Sequence, residues 1–387
     1  MELTRVLHPV GQGGFYTETI KNENGNEFNV VYDCGGNGQK FMKNYLNSCF
    51  TKPKTFDLVF ISHFHYDHIN GLLSLLKNYN VKHLIIPQLT KDILLESVLY
   101  NYLNYGSYDN LVNRFLQNIY NQENYGETQI TQILPYNENN NVVTEEYPLT
   151  DGFITQNNGF RTDLQKDMLS GTVFSFGKWF YVPFNPPVPK KDKIKGGFYD
   201  FIKDNLNGGK DFNISSDLSK IVGQDLKKCV VLYEQFFKSG NNHNAYSMTL
   251  FSGMRKPEEH CHLVNSFDIY YRYLNYRVCF NNPNFLYTGD FEPDNKYANN
   301  VKIMKGFYGQ LWNSFESIQV PHHGSRNNFS KELYEGKSVG YISAGELNKF
   351  NHPDKDTLLD IIDCDCVPVI VSDNVSTIII SKYHIYI

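Results

Sequence analysis

Residues 62–68 read Ser62-His63-Phe64-His65-Tyr66-Asp67-His68, so three imidazoles and one carboxylate fall within six consecutive positions. The run follows an apolar stretch, Phe56 to Ile61, with the length and composition of a buried strand. On an extended chain, side chains two apart point the same way. His63 and His65 should therefore share a face, while Asp67 and His68 open the next helix and face a neighbouring point. Imidazole nitrogens and carboxylate oxygens are the donors zinc takes in catalytic sites, where one position stays open for water; closed structural sites are usually thiolate-rich. The spacing suits two adjacent cations. If Asp67 only capped a helix and the histidines were an ordinary polar loop, the clustering would have no explanation.

These groups must be positioned by a chain of 387 residues, 41% hydrophobic and 20% charged, with a formal net charge of -5. That composition is globular, and the length permits a large apolar core without staples. The slightly acidic balance argues against indiscriminate coating of nucleic acid, although Lys190, Lys191 and Lys195 form a local basic patch able to steer a phosphate chain. No apolar run approaches the roughly 18–20 residues that span a bilayer, and the first residues lack a signal-peptide pattern. The expectation is a soluble, cytoplasmic protein with no membrane partner. Seven dispersed cysteines read as reduced thiols, with Cys364 and Cys366 structural.

The opening reads as strands at Leu3 to Val10, Phe15 to Lys21 and Phe28 to Tyr32, the last two joined by the turn Asn24-Gly25-Asn26. After the histidine run, Leu72, Leu73, Leu75 and Leu76 predict a helix over Ile69 to Tyr79, and Val81 to Pro87 another strand. Leu111, Val112, Phe115, Leu116 and Ile119 have helical spacing, whereas 137–213 is rich in Asn, Gly, Pro and Lys. Short β-type runs return at Val230-Val231-Leu232, Ser247 to Phe251, Arg277 to Tyr287, Ser317 to Val320, Val339 to Ser343, Val367 to Val371 and Thr377 to Ser381. Two β-rich halves, 1–90 and 229–387, thus flank an insertion, 91–228, in which little metal chemistry is expected.

The HxHxDH run resembles the hallmark of the metallo-β-lactamase superfamily, and further matches follow in that family's order: Asp33, His243 four residues before Ser247, Asp290 in Thr288-Gly289-Asp290, and the pair His322-His323. The resemblance narrows to the soluble domain of bacterial competence (DNA-uptake) channel proteins, through Val10-Gly11-Gln12-Gly13, Thr288-Gly289-Asp290, Val320-Pro321-His322-His323-Gly324-Ser325 and Asn351-His352-Pro353. Those domains typically carry HxDxDH, whereas this chain has His65, which implies two full cation sites; their membrane channel portion is missing here.

The resemblance implies an α/β (α+β) sandwich of four layers, αβ/βα, with a central insertion. It implies one cation on His63, His65 and His243, a second on Asp67, His68 and His322, with Asp290 bridging and Asp33 orienting the loop from behind. Pro321 fixes the exit of its strand and favours His322 over His323 as the ligand. Asp67, His323 and His352 are the catalytic candidates, the two histidines as hydrogen-bond or proton donors to a scissile phosphate or leaving group. His8, His83, His260, His262 and His384 lack motif context and read as structural.

The cofactor expected is a pair of Zn2+ ions; Mn2+ tolerates the same donors. Two dications a few ångströms apart activate water and stabilise both oxygens of an in-line displacement. The leading function is a dinuclear-zinc phosphodiesterase, with nucleic acid as a candidate substrate. The alternatives are a hydrolase of a lactam, lactone or thioester, and a non-catalytic sensor or effector module. The insertion is the expected surface for a protein partner or homo-oligomer.

Overall fold

A computed structural model describes residues 1–51, 54–105, 111–120, 126–137, 167–187, 197–214, 226–238, 247–254, 261–267, 282–295 and 298–385. His243 and the basic patch at 190–195 lie outside these residues.

The first half lays down β1 (Glu2–Leu7), β2 (Phe15–Lys21), β3 (Glu27–Cys34), β4 (Thr55–Phe60) and β5 (Asn80–Pro87). The middle adds β6 (Gln129–Leu134), β7 (Asp167–Leu169), β8 (Phe174–Phe176) and β9 (Trp179–Phe184). The last part contributes β10 (Thr249–Gly253), β11 (Cys261–Phe267), β12 (Phe285–Tyr287), the small pair β13 (Asp294–Asn295) and β14 (Ala298–Asn299), then β15 (Ser317–Gln319), β16 (Val339–Ser343), β17 (Val367–Val371) and β18 (Ile379–Ile385). One sheet runs β11-β18-β1-β2-β3-β4-β5-β6-β7 and the other β17-β16-β15-β12-β10-β9-β8. The helices are α1 (Gln39–Cys49), α2 (Tyr66–Ile69), α3 (Leu72–Asn78), α4 (Lys91–Tyr105), α5 (Leu111–Tyr120), α6 (Phe198–Leu206), α7 (Leu226–Lys238), α8 (Asn300–Tyr308) and α9 (Lys355–Ile362).

Strand alternation divides the apolar side chains among three cores. In β4, Phe56 and Val59 point toward the helices on one face, whereas Leu58 and Phe60 point into the space between the sheets. β9 does the same on the other sheet: Tyr181 faces the intersheet core, while Val182 and Phe184 face α8 and α9. Both faces of each sheet are covered, which is why β3, β4, β15 and β16, each paired in parallel with a neighbour, are buried along nearly their whole length. The layers are helix, sheet, sheet, helix.

The described strands of segment 91–228 join the two sheets: β6 and β7 extend the first, and β8 and β9 complete the edge of the second. Strands of three residues, as β7 and β8 are, carry too little alternation to stand out from Asn- and Gly-rich neighbours. Val230-Val231-Leu232, expected as β, is the middle of α7. A three-residue apolar run has no readable period, whereas Tyr233, Phe236 and Phe237 beside it follow helical spacing and are buried.

Candidate metal centre

The site forms at one end of the two sheets, where parallel strands stop and their following loops meet. β4 delivers the run directly. Ile61 still donates to the Ile85 carbonyl, and Ser62 is gripped by Asp33, whose Oδ1 accepts the Ser62 amide at 2.7 Å and whose Oδ2 accepts the Ser62 hydroxyl at 2.8 Å. Asp33 ends β3 in a left-handed conformation, φ 57°, and is fully buried. Its Oδ2 also accepts from His68 Nδ1 at 2.8 Å. One carboxylate therefore ties β3 to both ends of the histidine run. Two glycines allow the close approach: a Cβ on Gly35 would strike the Asp67 carbonyl, and one on Gly289, φ +55°, would lie 2.5 Å from the Ser62 Cβ.

Opposite this run, the second sheet supplies Asp290 from the turn after β12. Its amide donates to Ser247 Oγ at 3.0 Å, and the preceding Thr288 and Gly289 amides both donate to Gln319 Oε1. The Asp290 carboxylate sits between two donor groups. Oδ1 is 3.0 Å from His68 Nε2 and 3.7 Å from His323 Nε2; Oδ2 is 3.6 Å from His63 Nε2 and 3.7 Å from His322 Nε2. Donor atoms of His63, His65 and Asp290 lie within 4.8 Å of one another, and those of Asp67, His68 and His323 do likewise.

His323, rather than the expected His322, joins Asp67 and His68, with Nε2 3.4 Å from Asp67 Oδ2. The reason is local. After Pro321 both histidines adopt left-handed backbone, φ 47° and 56°, so the chain turns over instead of continuing the strand. His323 is carried inward and its Nδ1 donates to the Ser343 carbonyl at 2.8 Å, while His322 stays at the rim with its side chain 24% exposed. His352 lies beyond it, the two rings 5.7 Å apart.

The hydrogen bonds set the tautomers. Asn328 donates its amide to the Asp290 and Phe291 carbonyls, so its Oδ1 is an acceptor and His322 Nδ1 donates to it at 2.8 Å. Ser62 Oγ gives its proton to Asp33 and so accepts from His63 Nδ1 at 2.9 Å. In His63, His68, His322 and His323 the Nδ1 proton is thus engaged from behind, so each ring, when neutral, presents its Nε2 lone pair to the centre; His68, whose pKa is raised, does so only after giving up a second proton.

Charge follows the same pattern. Burial would raise the Asp290 pKa, but His322, His68, His323 and His63 outweigh it and hold the carboxyl well below its usual range. Asp67 is likewise held low against burial, chiefly by its His323 contact and by His68. Burial would lower His68, yet Asp290 and Asp33 raise it well above the ordinary imidazole value. Burial and His68 push His63 well down, and burial lowers His322. His352 falls to about 4 through burial and its neighbours His323 and His322, so its ring is neutral at pH 7.

Cations fit this cluster. His63 Nε2, His68 Nε2, His323 Nε2, Asp67 Oδ1 and Asp290 Oδ1 are all buried and make no well-formed hydrogen bond, His68 Nε2 and Asp290 Oδ1 meeting only as an ion pair at 3.0 Å. A buried polar atom left unpaired costs about 1–3 kcal/mol, so five converging on one spot would be a heavy and pointless penalty without something to bind. The donors are nitrogen and oxygen, with no thiolate among them, which suits divalent cations such as zinc and manganese.

The family model described as Metallo-beta-lactamase superfamily matches residues 22–146, a stretch that holds β3 to β6 and the whole histidine run. The mixed α/β arrangement of two packed sheets is consistent with the metallo-β-lactamase sandwich fold. A metallo-β-lactamase fold implies divalent metal binding, and the two donor groups stand where it can occur. Two solved structures are similar at low identity. The crystal structure of a long-form RNase Z from yeast is 11% identical, covers 95% of this chain and 34% of that chain, and has a TM-score of 0.25. The crystal structure of a β-lactamase domain protein from Burkholderia ambifaria is 16% identical, covers 27% of this chain and 30% of that chain, and has a TM-score of 0.17. This chain spans about a third of the length of each. No curated protein matches. Among the described residues, no helix is long and apolar enough to cross a membrane.

Three residues around the centre carry no motif and were not expected there. Ser62 relays between Asp33 and His63, and Glu96 with Tyr233 stands behind His65. Ser62 was accessible as the residue preceding the run; the other two are brought in by helices distant in sequence.

Proposed function

We propose that this chain is a metal-dependent hydrolase that uses two divalent cations, Zn2+ in preference to Mn2+, to split phosphodiesters, with nucleic acid as the favoured substrate class. The observation that supports it is the position of Asp290, one carboxylate oxygen turned to each donor group. Two cations held there would serve as Lewis acids and lower the pKa of water toward neutrality. The chain's own part is to fix the donors before substrate arrives. Asp33 and Ser62 hold His63 and His68, and the Ser343 carbonyl holds His323. Asp67, His68 and His323 make up the second group, and His322 stands at the rim, where its Nε2 can accept or return a proton at a substrate oxygen. His352, next to it, lies within reach of the same substrate. The closeness to competence-protein domains rests on the four motifs and agrees with a phosphodiester substrate.

The test is to load the purified protein with Zn2+ or Mn2+ and present labelled DNA, labelled RNA, a cyclic nucleotide and bis-p-nitrophenyl phosphate, with nitrocefin and an acyl-lactone beside them. Cleavage of a phosphodiester, abolished by Asp67→Ala in a protein that stays folded, is the expected result. Inactivity of the metal-replete protein on every phosphodiester, with turnover of a lactam or lactone, would move the assignment to carbonyl hydrolysis.

A further inference from the structure

Segment 91–228 is not expected to take part in metal chemistry, yet α4 places two of its residues against His65. The Tyr100 ring stacks on the imidazole at 3.7 Å, with 11° between the planes. One helical turn earlier, Glu96 is 3% exposed, and its Oε1 lies 3.4 Å from His65 Nε2. The same Oε1 accepts from the Tyr233 hydroxyl of α7 at 2.9 Å, and Oε2 accepts from Ser97 Oγ at 3.3 Å. A buried carboxylate this enclosed is costly unless its partners are specific. Tyr100 fixes the plane of the ring and Glu96 addresses one of its nitrogens.

Resting on the two-cation reading above, we infer that Glu96, held by Tyr233, is the positioning residue for His65: its carboxylate accepts a hydrogen bond from Nε2–H, which keeps the proton there and directs the Nδ1 lone pair to the first cation. His65 then differs from His63, His68 and His323, whose Nδ1 atoms are engaged and whose Nε2 atoms face the centre. The difference follows from the direction of support. His63 and His68 are braced by β3 through Asp33, whereas His65 points toward the helical layer, where Glu96 and Tyr100 of α4 meet it. A carboxylate behind a ligand imidazole fixes its tautomer and raises its basicity, and removing such a partner typically lowers metal affinity about 10–100-fold.

The experiment is chelator-competed titration of the full chain with Zn2+ alone, and with Co2+ as a spectroscopic reporter, comparing wild type with Glu96→Gln and Tyr233→Phe. Nitrogen chemical shifts of the His65 ring in the metal-free protein are read in parallel. The wild type should bind two equivalents with Nε2 of His65 protonated. Glu96→Gln should weaken one equivalent about 10–100-fold and leave the other unchanged, and it should alter the Co2+ spectrum. Tyr233→Phe, which keeps the carboxylate, should weaken the same equivalent by less and covers the case in which Glu96→Gln does not fold. Two equivalents bound with wild-type affinity by both variants, or a His65 ring protonated on Nδ1 in the wild type, would overturn the role of Glu96. A wild type that takes up no Zn2+ would overturn the two-cation reading itself, a result distinct from either.

Discussion

His68 Nε2 approaches Asp290 Oδ1 to 3.0 Å while His68 Nδ1 donates to Asp33 at 2.8 Å, so one imidazole spans the gap between the two sheets with a carboxylate at each end. Asp290 belongs to the first donor group and lies against His68 and His323 of the second, and the proposed two-cation reading makes its charge necessary to both. Asp290→Asn should bind fewer than two Zn2+ per chain and lose at least about 100-fold in turnover, since both functions depend on one charge. Elemental analysis and a phosphodiester assay on the same preparation check it; two tightly bound ions in Asp290→Asn would refute the bridging role.

His322 and His323 are adjacent in sequence but differently placed, and their alanine variants should separate cleanly. His323→Ala removes a buried donor beside Asp67 and should lower metal content. His322→Ala, at the rim, should retain its metal and instead lose about 10²–10⁴-fold in kcat, the usual scale for a proton-transfer group. Equal metal loss in the two variants would return His322 to the ligand set.

Much of this arrangement was legible because donor spacing and strand alternation are short-range. The His63–His68 run, Asp33 and Asp290 each lie at the end of a strand whose apolar pattern is readable, and the structure brings them together. The choice between His322 and His323 was not legible, because it depends on two left-handed residues after Pro321, and neither is a glycine that would announce a turn. Glu96 and Tyr233 were invisible for another reason: they lie 31 and 168 positions from His65, and 137 from each other, in helices whose packing, not spacing, makes them neighbours. The layering was readable in the first half, where strands are six to eight residues long, and lost in 137–213, where three-residue strands finish both sheets.

His8 gives a pH dependence of stability that is independent of the metal centre. It is buried, stacked on Phe15 at 4.3 Å, with Nε2 2.9 Å from Thr17 Oγ1 and Nδ1 3.1 Å from the Tyr45 hydroxyl. Burial pushes its pKa down from 6.5 to about 3. Between those values the unfolded chain binds a proton that the folded chain refuses, so stability is full above pH 6.5 and falls as pH drops toward 3. The loss should total about 5 kcal/mol from this residue. Urea unfolding of metal-free wild type and His8→Gln from pH 7 to 4 should show a shallower decline in the variant; parallel curves would mean that His8 is protonated in the fold.

Arg5 and Glu18 form a buried ion pair between the sheets, and its enclosure decides what breaking it should cost. Arg5 of β1 and Glu18 of β2 are 3% and 2% exposed, with Arg5 Nε donating to Glu18 Oε1 at 2.7 Å and Arg5 Nη1 donating to the Pro283 carbonyl at 2.7 Å. Glu18 also accepts from the hydroxyls of Tyr181, Ser252 and Tyr287, at 2.8, 2.7 and 2.8 Å. These partners come from β9, β10 and β12, so the carboxylate fastens the second sheet to the first. Glu18→Leu fills the space but leaves a guanidinium uncompensated and three hydroxyls without their acceptor. It should destabilise the fold by about 3–5 kcal/mol, whereas the paired change Arg5→Met with Glu18→Leu should recover much of that loss because no charge is left buried. Thermal and urea unfolding of the single and double variants measure the difference, and a double variant no more stable than Glu18→Leu would show that the hydroxyl network, not the stranded charge, carries the cost.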